Sequence, residues 1–223
     1  MTAPAPLFSD TSFALALGLL LLAPLAIAGL ALINTGLGRS RSAAQAMLGA
    51  LAMASAAVFV FALFGATIAD GYAGAGHTVS LAGKTWNWAG TGPVALNGFA
   101  AQPGRAQLAE LFQFLAVALA VLIPWGSGAD RLRMPAGIAA AAVLAGLVFP
   151  FVAHWSWTGG WLDGLGTNFG LGAGFLDGGG AGAVHVLGGL SALAVVWITG
   201  PRRGKFPREG LSTAMPGHHL TKA

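Results

Sequence analysis

The 223-residue sequence contains no cysteine, and only 8% of its residues are charged. The absence of cysteine excludes disulfides, thiol catalysis and thiolate metal sites. Soluble domains carry about 25% charged residues, so the shortage of charge argues against an ordinary soluble domain. The sequence also has no phosphate-binding loop, zinc-ligand pattern or hydrolase triad motif. We therefore predict that the chain is not an enzyme, and we expect no cofactor or metal.

Hydrophobic residues make up 56% of the sequence, and 35 residues are glycine. This composition is typical of a polytopic membrane protein, in which small residues let helices approach closely. Five long apolar runs have about the ~20-residue length that crosses a bilayer. We predict an all-α membrane domain over residues 1–200, followed by a basic cytoplasmic tail at 201–223. Its five spans are residues 13–33, 43–69, 108–126, 136–154 and 182–199.

The connecting segments carry the remaining sequence signals. The first span lacks a preceding basic region, so we interpret it as a retained helix rather than a cleaved signal peptide. Residues 70–106 form the longest connection, and Trp86 and Trp88 make it a candidate extramembrane cap with interfacial aromatics. The net charge of +4 does not indicate nucleic-acid binding, because the basic residues lie in loops beside membrane spans.

The basic residues are distributed unevenly between the two sides of the predicted bundle. Nine of the eleven follow spans one, three and five, whereas Lys84 and Arg105 lie on the other side. Short cytoplasmic loops are enriched in lysine and arginine. We therefore predict an integral protein of the bacterial cytoplasmic membrane, with its N-terminus outside and its C-terminus in the cytoplasm. Membrane lipid is its first expected partner.

One stretch, residues 149–199, contains the strongest functional signals. It includes a Trp-rich helix end with Trp157, a lone Asp177 and, eight residues later, His185 within an apolar run. An ionisable residue at membrane depth is by default a candidate functional residue. Asp177 also lies where a carboxylate caps a helix N-terminus. Trp157 equally fits an interfacial aromatic belt, and His185 equally fits a buried imidazole with a single hydrogen bond.

A set of motifs in a fixed order gives these residues a family context. The motifs are FALFGATIAD at 61–70, FQF at 112–114, ADRLRM at 129–134, FPFVAHWSWTGGWL at 149–162, FLDGGGAGAVH at 175–185, GPRRGKF at 200–206 and MPGHHL at 215–220. Over nearly its whole length the chain resembles the ammonium transporter (Amt/Rh) family. The resemblance covers the N-terminal five-helix half, the first of two inverted repeats that place a substrate path between them. It implies trimers built from such two-half subunits.

The resemblance also implies roles for four residues. Asp177 matches an aspartate that shapes the outer recruitment site, and Trp157 matches a tryptophan whose ring face contacts the cation. His185 matches the first of two pore histidines, and Phe112 matches one of two aromatic positions on the third span. The chain departs from the family at Ala116, where a gate phenylalanine is expected, and at Gly182, where threonine is usual. Phe114 is a candidate to refill the gate. His154 is interpreted as structural.

Two functions remain open at this stage. The chain is predicted to be an ammonium transporter-like protein, a truncated half that does not conduct alone and needs a complementary half. Alternatively, it is a structural or accessory subunit packed against other membrane subunits, through helix faces rich in small residues such as Gly188, Gly189, Ser191 and Ala192. Ammonium sensing through the short basic tail ranks behind both.

Overall fold

Five long apolar helices form the protein in the computed structural model, which describes residues 10–69, 76–207 and 210–219. Asp70, which ends one of the family motifs, lies outside the described residues, as do parts of the tail. The helices are α1 (Asp10–Leu37), α2 (Ser40–Ala69), α3 (Gly104–Gly128), α4 (Met134–Trp157) and α5 (Gly178–Thr199). Each predicted span lies within one of them. All five are long and apolar enough to cross a membrane, which confirms the predicted five-helix fold class.

Helix α3 is central, because it packs against α1, α2 and α5, while α2 also packs against α4. Three phenylalanine rings pack together in the core between α2, α3 and α4. Phe61 contacts Phe149 and Phe114 edge to face, with ring centroids 5.7 and 5.3 Å apart. Helix α1 lies at the edge of the bundle, and leucines such as Leu21 are exposed along it. In a bilayer such side chains face lipid.

Close contacts at glycine hold α3 to its neighbours. A Cβ at Gly49 of α2 would overlap the indole of Trp125, which donates a 3.0 Å hydrogen bond to the carbonyl of Ala46. Gly188 of α5 likewise lies against Ile123 of α3. Gly188 is therefore buried within the bundle, which corrects its placement on an open docking face. Gly189 has open space where a Cβ would be, so it does lie on an open face.

Three helices contain a wider π turn that the sequence pattern did not predict. The turns lie at Phe61–Gly65 in α2, Leu144–Val148 in α4 and Ala181–Val186 in α5. A π turn shifts the helical register by about one residue and is frequent at functional sites. The one in α5 contains His185, so its position on the helix surface differs from that expected of a regular helix.

The connection between α2 and α3 contains an antiparallel hairpin of β1 (Gly76–Leu81) and β2 (Lys84–Gly90). This hairpin differs from the loop predicted over residues 70–106. Its turn residues, Ala82 and Gly83, both have positive φ angles, of 54° and 71°. Tight hairpin turns of this kind favour asparagine or aspartate before the glycine. Because alanine occupies that position, the sequence carries only a weak hairpin signal.

The two ends of the bundle differ in chemistry. At one end, called the hairpin end, Trp88 of β2 packs beside Trp155 and Trp161, near the end of α4. At the opposite end, called the arginine end, Arg39 donates to the carbonyl of Arg203, and Arg131 donates to that of Gly200. The loops after α1, α3 and α5 thus meet at a single end. The described part of the tail also lies there, since His218 Nδ1 is 3.1 Å from the carbonyl oxygen of Gly38.

The orientation of these ends can be tested with introduced cysteines, because the natural sequence has none. Ser40 and Ser212 lie toward the arginine end and Ser80 lies on β1, and all three are exposed. In spheroplasts, we expect a membrane-impermeant maleimide to label Ser80→Cys directly. It should label Ser40→Cys and Ser212→Cys only after lysis. The opposite labelling pattern would reverse the predicted orientation.

The close contact at Gly49 gives a test of packing. We expect Gly49→Ala to destabilise the protein by about 2 kcal/mol, because the added methyl must displace the indole of Trp125. Gly29→Ala is the control, since no atom lies within 4 Å of a Cβ at Gly29. Thermal unfolding in detergent measures both. Equal melting temperatures for the two variants would contradict the packing described here.

Candidate functional site

Asp177 lies immediately before α5, and its carboxylate accepts hydrogen bonds at the start of that helix. Its Oδ1 accepts from the backbone N–H of Gly182 at 2.6 Å, and its Oδ2 accepts from that of Ala183 at 3.0 Å. The chain reaches this geometry through Gly179 and Gly180, whose φ angles are 67° and 78°. Such angles favour glycine. The carboxylate therefore caps the π turn of α5, in accord with the capping alternative.

Trp157 ends α4, and its indole ring is held in a defined orientation. Its Nε1–H donates a 2.9 Å hydrogen bond to Asp177 Oδ2. The ring also lies 5.4 Å from that of Phe112 and 6.0 Å from that of Phe149, between centroids. Trp155 and Trp161 belong instead to the aromatic cluster with the hairpin. Trp157 is thus separated from its neighbours in sequence and joins Phe112 and Asp177.

These three side chains line a small pocket at the hairpin end. The pocket has a volume of about 210 Å³. Its lining residues come from α3, the end of α4 and the start of α5, and they are Ala109, Phe112, Gln113, Trp157, Thr158, Asp177, Gly179 and Gly180. The structure therefore brings together three of the four predicted site residues.

Gln113 was not predicted as a site residue. It is only 2% exposed, and within the described part of the chain its Oε1 accepts no hydrogen bond. A buried amide oxygen without a donor is costly, typically by ~1–3 kcal/mol. Because Gln113 lines the pocket, a ligand with N–H groups would supply the missing donor. A polar residue within an apolar span was the available sequence signal.

His185 does not line this pocket, but it contacts the backbone of Gly180, a residue that does. Its Nδ1 is 3.2 Å from the carbonyl oxygen of Gly180, which itself lines the pocket. A carbonyl only accepts, so a neutral imidazole in this position carries its proton on Nδ1 and has Nε2 as an acceptor. The residue is exposed rather than buried, unlike the bundle-buried histidine of the alternative interpretation.

The remaining sequence candidates lie elsewhere. His154 is fully buried, and its Nδ1 lies 3.0 Å from the hydroxyl of Thr158, which donates to the carbonyl of Ala69. This contact links α4 to α2 and fits the predicted structural role. Ala116 is also buried and does not line the pocket. Phe114 packs against Phe61 rather than refilling the gate position. No group of three His, Asp or Glu residues suited to a metal ion occurs among the described residues.

Comparison with known proteins agrees with the motifs. The model of the Ammonium Transporter Family matches residues 13–223. The chain belongs to this family. It is 42% identical over 118 residues to "Ammonium transporter Amt2" of Archaeoglobus fulgidus, across 51% of this chain and 25% of the relative. It is 32% identical over 199 residues to "Ammonium transporter Amt2" of Haloferax mediterranei, across 88% of this chain and 40% of the relative.

The solved structure of a "Sensor Amt Protein" superposes on this ammonium transporter family member with a TM-score of 0.79. That match covers 94% of this chain and 49% of the solved chain, at 24% identity, and it therefore supports the fold alone. The chain spans less than half the length of each relative described here. The family is one of transporters, which agrees with the prediction that the chain is not an enzyme.

The cap formed by Asp177 can be tested in this family member. Asp177→Ala removes the acceptor of three N–H groups, so we expect a loss of about 2 kcal/mol in stability. Asp177→Asn keeps one acceptor oxygen and should lose less. Asp163→Ala is the matched control, because the Asp163 side chain forms no hydrogen bond or ion pair within the described residues. Thermal unfolding in detergent measures all three, and an unchanged melting temperature for Asp177→Ala would refute the cap.

Proposed function

We propose that this chain forms one wall of an ammonium path, and that the pocket at the hairpin end recruits the cation. The proposal is carried by the convergence of Phe112, Trp157 and Asp177 on a single small pocket. An ammonium ion over the face of a tryptophan gains about 1–2 kcal/mol when partly desolvated. Its N–H groups also suit the buried amide oxygen of Gln113, which receives no hydrogen bond within the described residues.

In this proposal Asp177 acts on the pocket through other groups. Its two oxygens already accept three N–H groups, from Trp157, Gly182 and Ala183. The carboxylate therefore orders the indole and the start of α5, and its charge favours a cation nearby. Gly182 has no Cβ and so leaves room beside this carboxylate. A Cβ there would be crowded, at 3.2 Å from the ring of Phe175 and 3.5 Å from the Asp177 carboxyl group.

The path continues from the pocket to His185. Gly180 lines the pocket and its carbonyl contacts the imidazole, so the pocket and His185 lie next to each other along α5. With Nε2 free to accept, His185 is suited to receive a proton or an N–H group from the substrate. The hairpin end, where the cation enters, is the outer end in the predicted orientation.

A closed path requires a further protein surface. His185 is exposed, and the space above Gly189 one turn later is open. A selective pore needs walls on all sides. We therefore infer that the chain alone does not conduct and that a complementary inverted half covers this face of α5. Such a half, like lipid and ammonium, is a proposed partner.

An accessory role is the second candidate. It is favoured by Ala116, which is buried and provides no gate ring. It is also favoured by Gly189, where no atom lies within 4 Å of the position of a Cβ. Small residues permit close helix contact within a membrane. In this alternative the same face of α5 packs against an unrelated membrane subunit, and the pocket has no transport role.

Transport by purified protein distinguishes these proposals. Proteoliposomes with this chain alone should show no saturable methylammonium uptake. A chimaera in which this chain replaces the matching segment of the Haloferax mediterranei relative, a segment that covers 88% of this chain, should show it. In the chimaera, Trp157→Leu and Gln113→Leu should raise KM severalfold because they remove the cation's contacts, while His185→Ala should lower the maximal rate.

Trp197→Leu is the control, because Trp197 is 82% exposed and lies far along α5 from the pocket. Saturable uptake by the chain alone, abolished by His185→Ala, would disprove the need for a second wall. Unchanged KM values for Trp157→Leu and Gln113→Leu would disprove the recruitment site. An inactive chimaera, together with co-purification of this chain with other membrane subunits, would favour the accessory role.

A further inference from the structure

The arginine end contains a polar pocket that the proposed ammonium path does not use. Its volume is about 490 Å³. It lies between the turn from α1 to α2, the turn from α3 to α4 and the end of α5. This arginine pocket is lined by Arg39, Arg41, Ser42, Gln45, Asp130, Arg131, Thr199, Pro201 and Arg203.

Positive charge exceeds negative charge in the arginine pocket. Four guanidinium groups line it, against the single carboxylate of Asp130. That carboxylate is only 8% exposed and already lies 3.4 Å from Arg131 and 3.3 Å from Arg202. Since Asp130 is already paired with these two cations, the pocket retains a net positive charge that favours an anion.

The arginines fall into two groups by their contacts. Arg131 donates to the carbonyls of Gly200 and Ser127, near the C-terminal ends of α5 and α3. Arg39 donates to the carbonyl of Arg203 and contacts the sulfur of Met215. By contrast, the guanidinium groups of Arg41 and Arg203 have no hydrogen-bond or ion-pair partner within the described residues. Five N–H donors on each are therefore available to a ligand.

Backbone groups strengthen the preference for an anion. The N-terminus of α2 begins at Ser40 beside the arginine pocket, and Ser42 lines it. The start of a helix carries partial positive charge, which favours an anion. The Ser42 N–H itself already donates to the carbonyl of Arg39 at 2.9 Å, so α2 contributes its dipole rather than a free donor at Ser42. The opposing helix ends, those of α1, α3 and α5, also lie here with their carbonyls, but Arg131 already donates to the carbonyls of Ser127 and Gly200. The forked N–H donors of the arginine side chains match the geometry of a phosphate ester.

An apolar groove reaches the same region. It has a volume of about 430 Å³ and lies between α2, α3, α4 and α5. Leu132 lines the groove, while its neighbours Asp130 and Arg131 line the arginine pocket. Val195 in the groove likewise lies one helical turn before Thr199 in the pocket. Polar and apolar sites thus lie beside one another at the arginine end.

We propose that the arginine pocket binds the phosphate of an anionic phospholipid, and that one acyl chain of this lipid lies in the apolar groove. Arg41 and Arg203 donate to the phosphate oxygens. Basic pockets between helices at the cytoplasmic side suit anionic headgroups, because their charge is added to the attraction of the membrane surface. The site is at the opposite end from the ammonium pocket, so it holds whether or not the chain takes part in transport.

Native mass spectrometry of the purified chain in detergent tests this site one lipid at a time. We expect phosphatidylglycerol to bind with a stoichiometry of one and at least about tenfold more tightly than phosphatidylcholine of the same chain length. Arg41→Gln with Arg203→Gln should remove this preference, since each loses hydrogen bonds to a charged phosphate. Neither side chain makes a described contact, so the variant should fold. Arg41→Lys with Arg203→Lys keeps the charge and should retain part of the preference.

Arg133→Gln is the matched control, because Arg133 is an exposed arginine of the same end that does not line the pocket. Equal loss of binding in this control would show a general charge effect and overturn the site. Absence of any preference for phosphatidylglycerol would also overturn it. Inorganic phosphate is the remaining comparison. If it raises the melting temperature without lipid as much as phosphatidylglycerol does, and the double variant abolishes this, the pocket binds free phosphate and the lipid assignment is wrong.

Discussion

The hydrogen bonds of Asp177 are the contacts on which the candidate site depends. One carboxylate accepts from the indole of Trp157 at the end of α4 and from two amides at the start of α5. Within a bilayer, backbone groups without an internal partner are costly, so a helix start needs such acceptors. The same bonds orient the aromatic ring toward Phe112. Structural capping and site formation are therefore one interaction, and the two interpretations of Asp177 are compatible.

Close packing of α3 against α2 and α5 holds the pocket residues of α3 in position. Gly49 and Gly188 allow Trp125 and Ile123 of α3 to lie against the backbones of α2 and α5. Helices in lipid gain little from the hydrophobic effect and associate through such backbone approaches. Because α3 also carries Phe112 and Gln113, its position decides whether these side chains reach Trp157. Packing on α2 and α5 thus sets the geometry of the pocket.

The two ends of the bundle present different surfaces for different reasons. Aromatic rings and a two-stranded hairpin lie at the end that also holds the pocket, where the indole of Trp157 suits a cation. Guanidinium groups meet at the other end, where three loops converge. Loop arginines are usually treated as determinants of orientation alone. Here their convergence also creates a pocket whose charge fits a phosphate.

The sequence by itself determined the five spans, the family and the uneven distribution of basic residues, because these depend on composition, run length and motif order. It also singled out Phe112, Trp157 and Asp177, which the fold brings together. Only the tertiary structure decided that Gln113 joins them, that His185 faces outward and that Gly188 is buried. A π turn changes the helix register, and an Ala82-Gly83 turn closes a hairpin without the usual residues. Neither leaves a periodic pattern. The hairpin bonds to a distant residue, since Asn87 donates to the carbonyl of Gly159, and the π turn is capped by the side chain of the nearby Asp177.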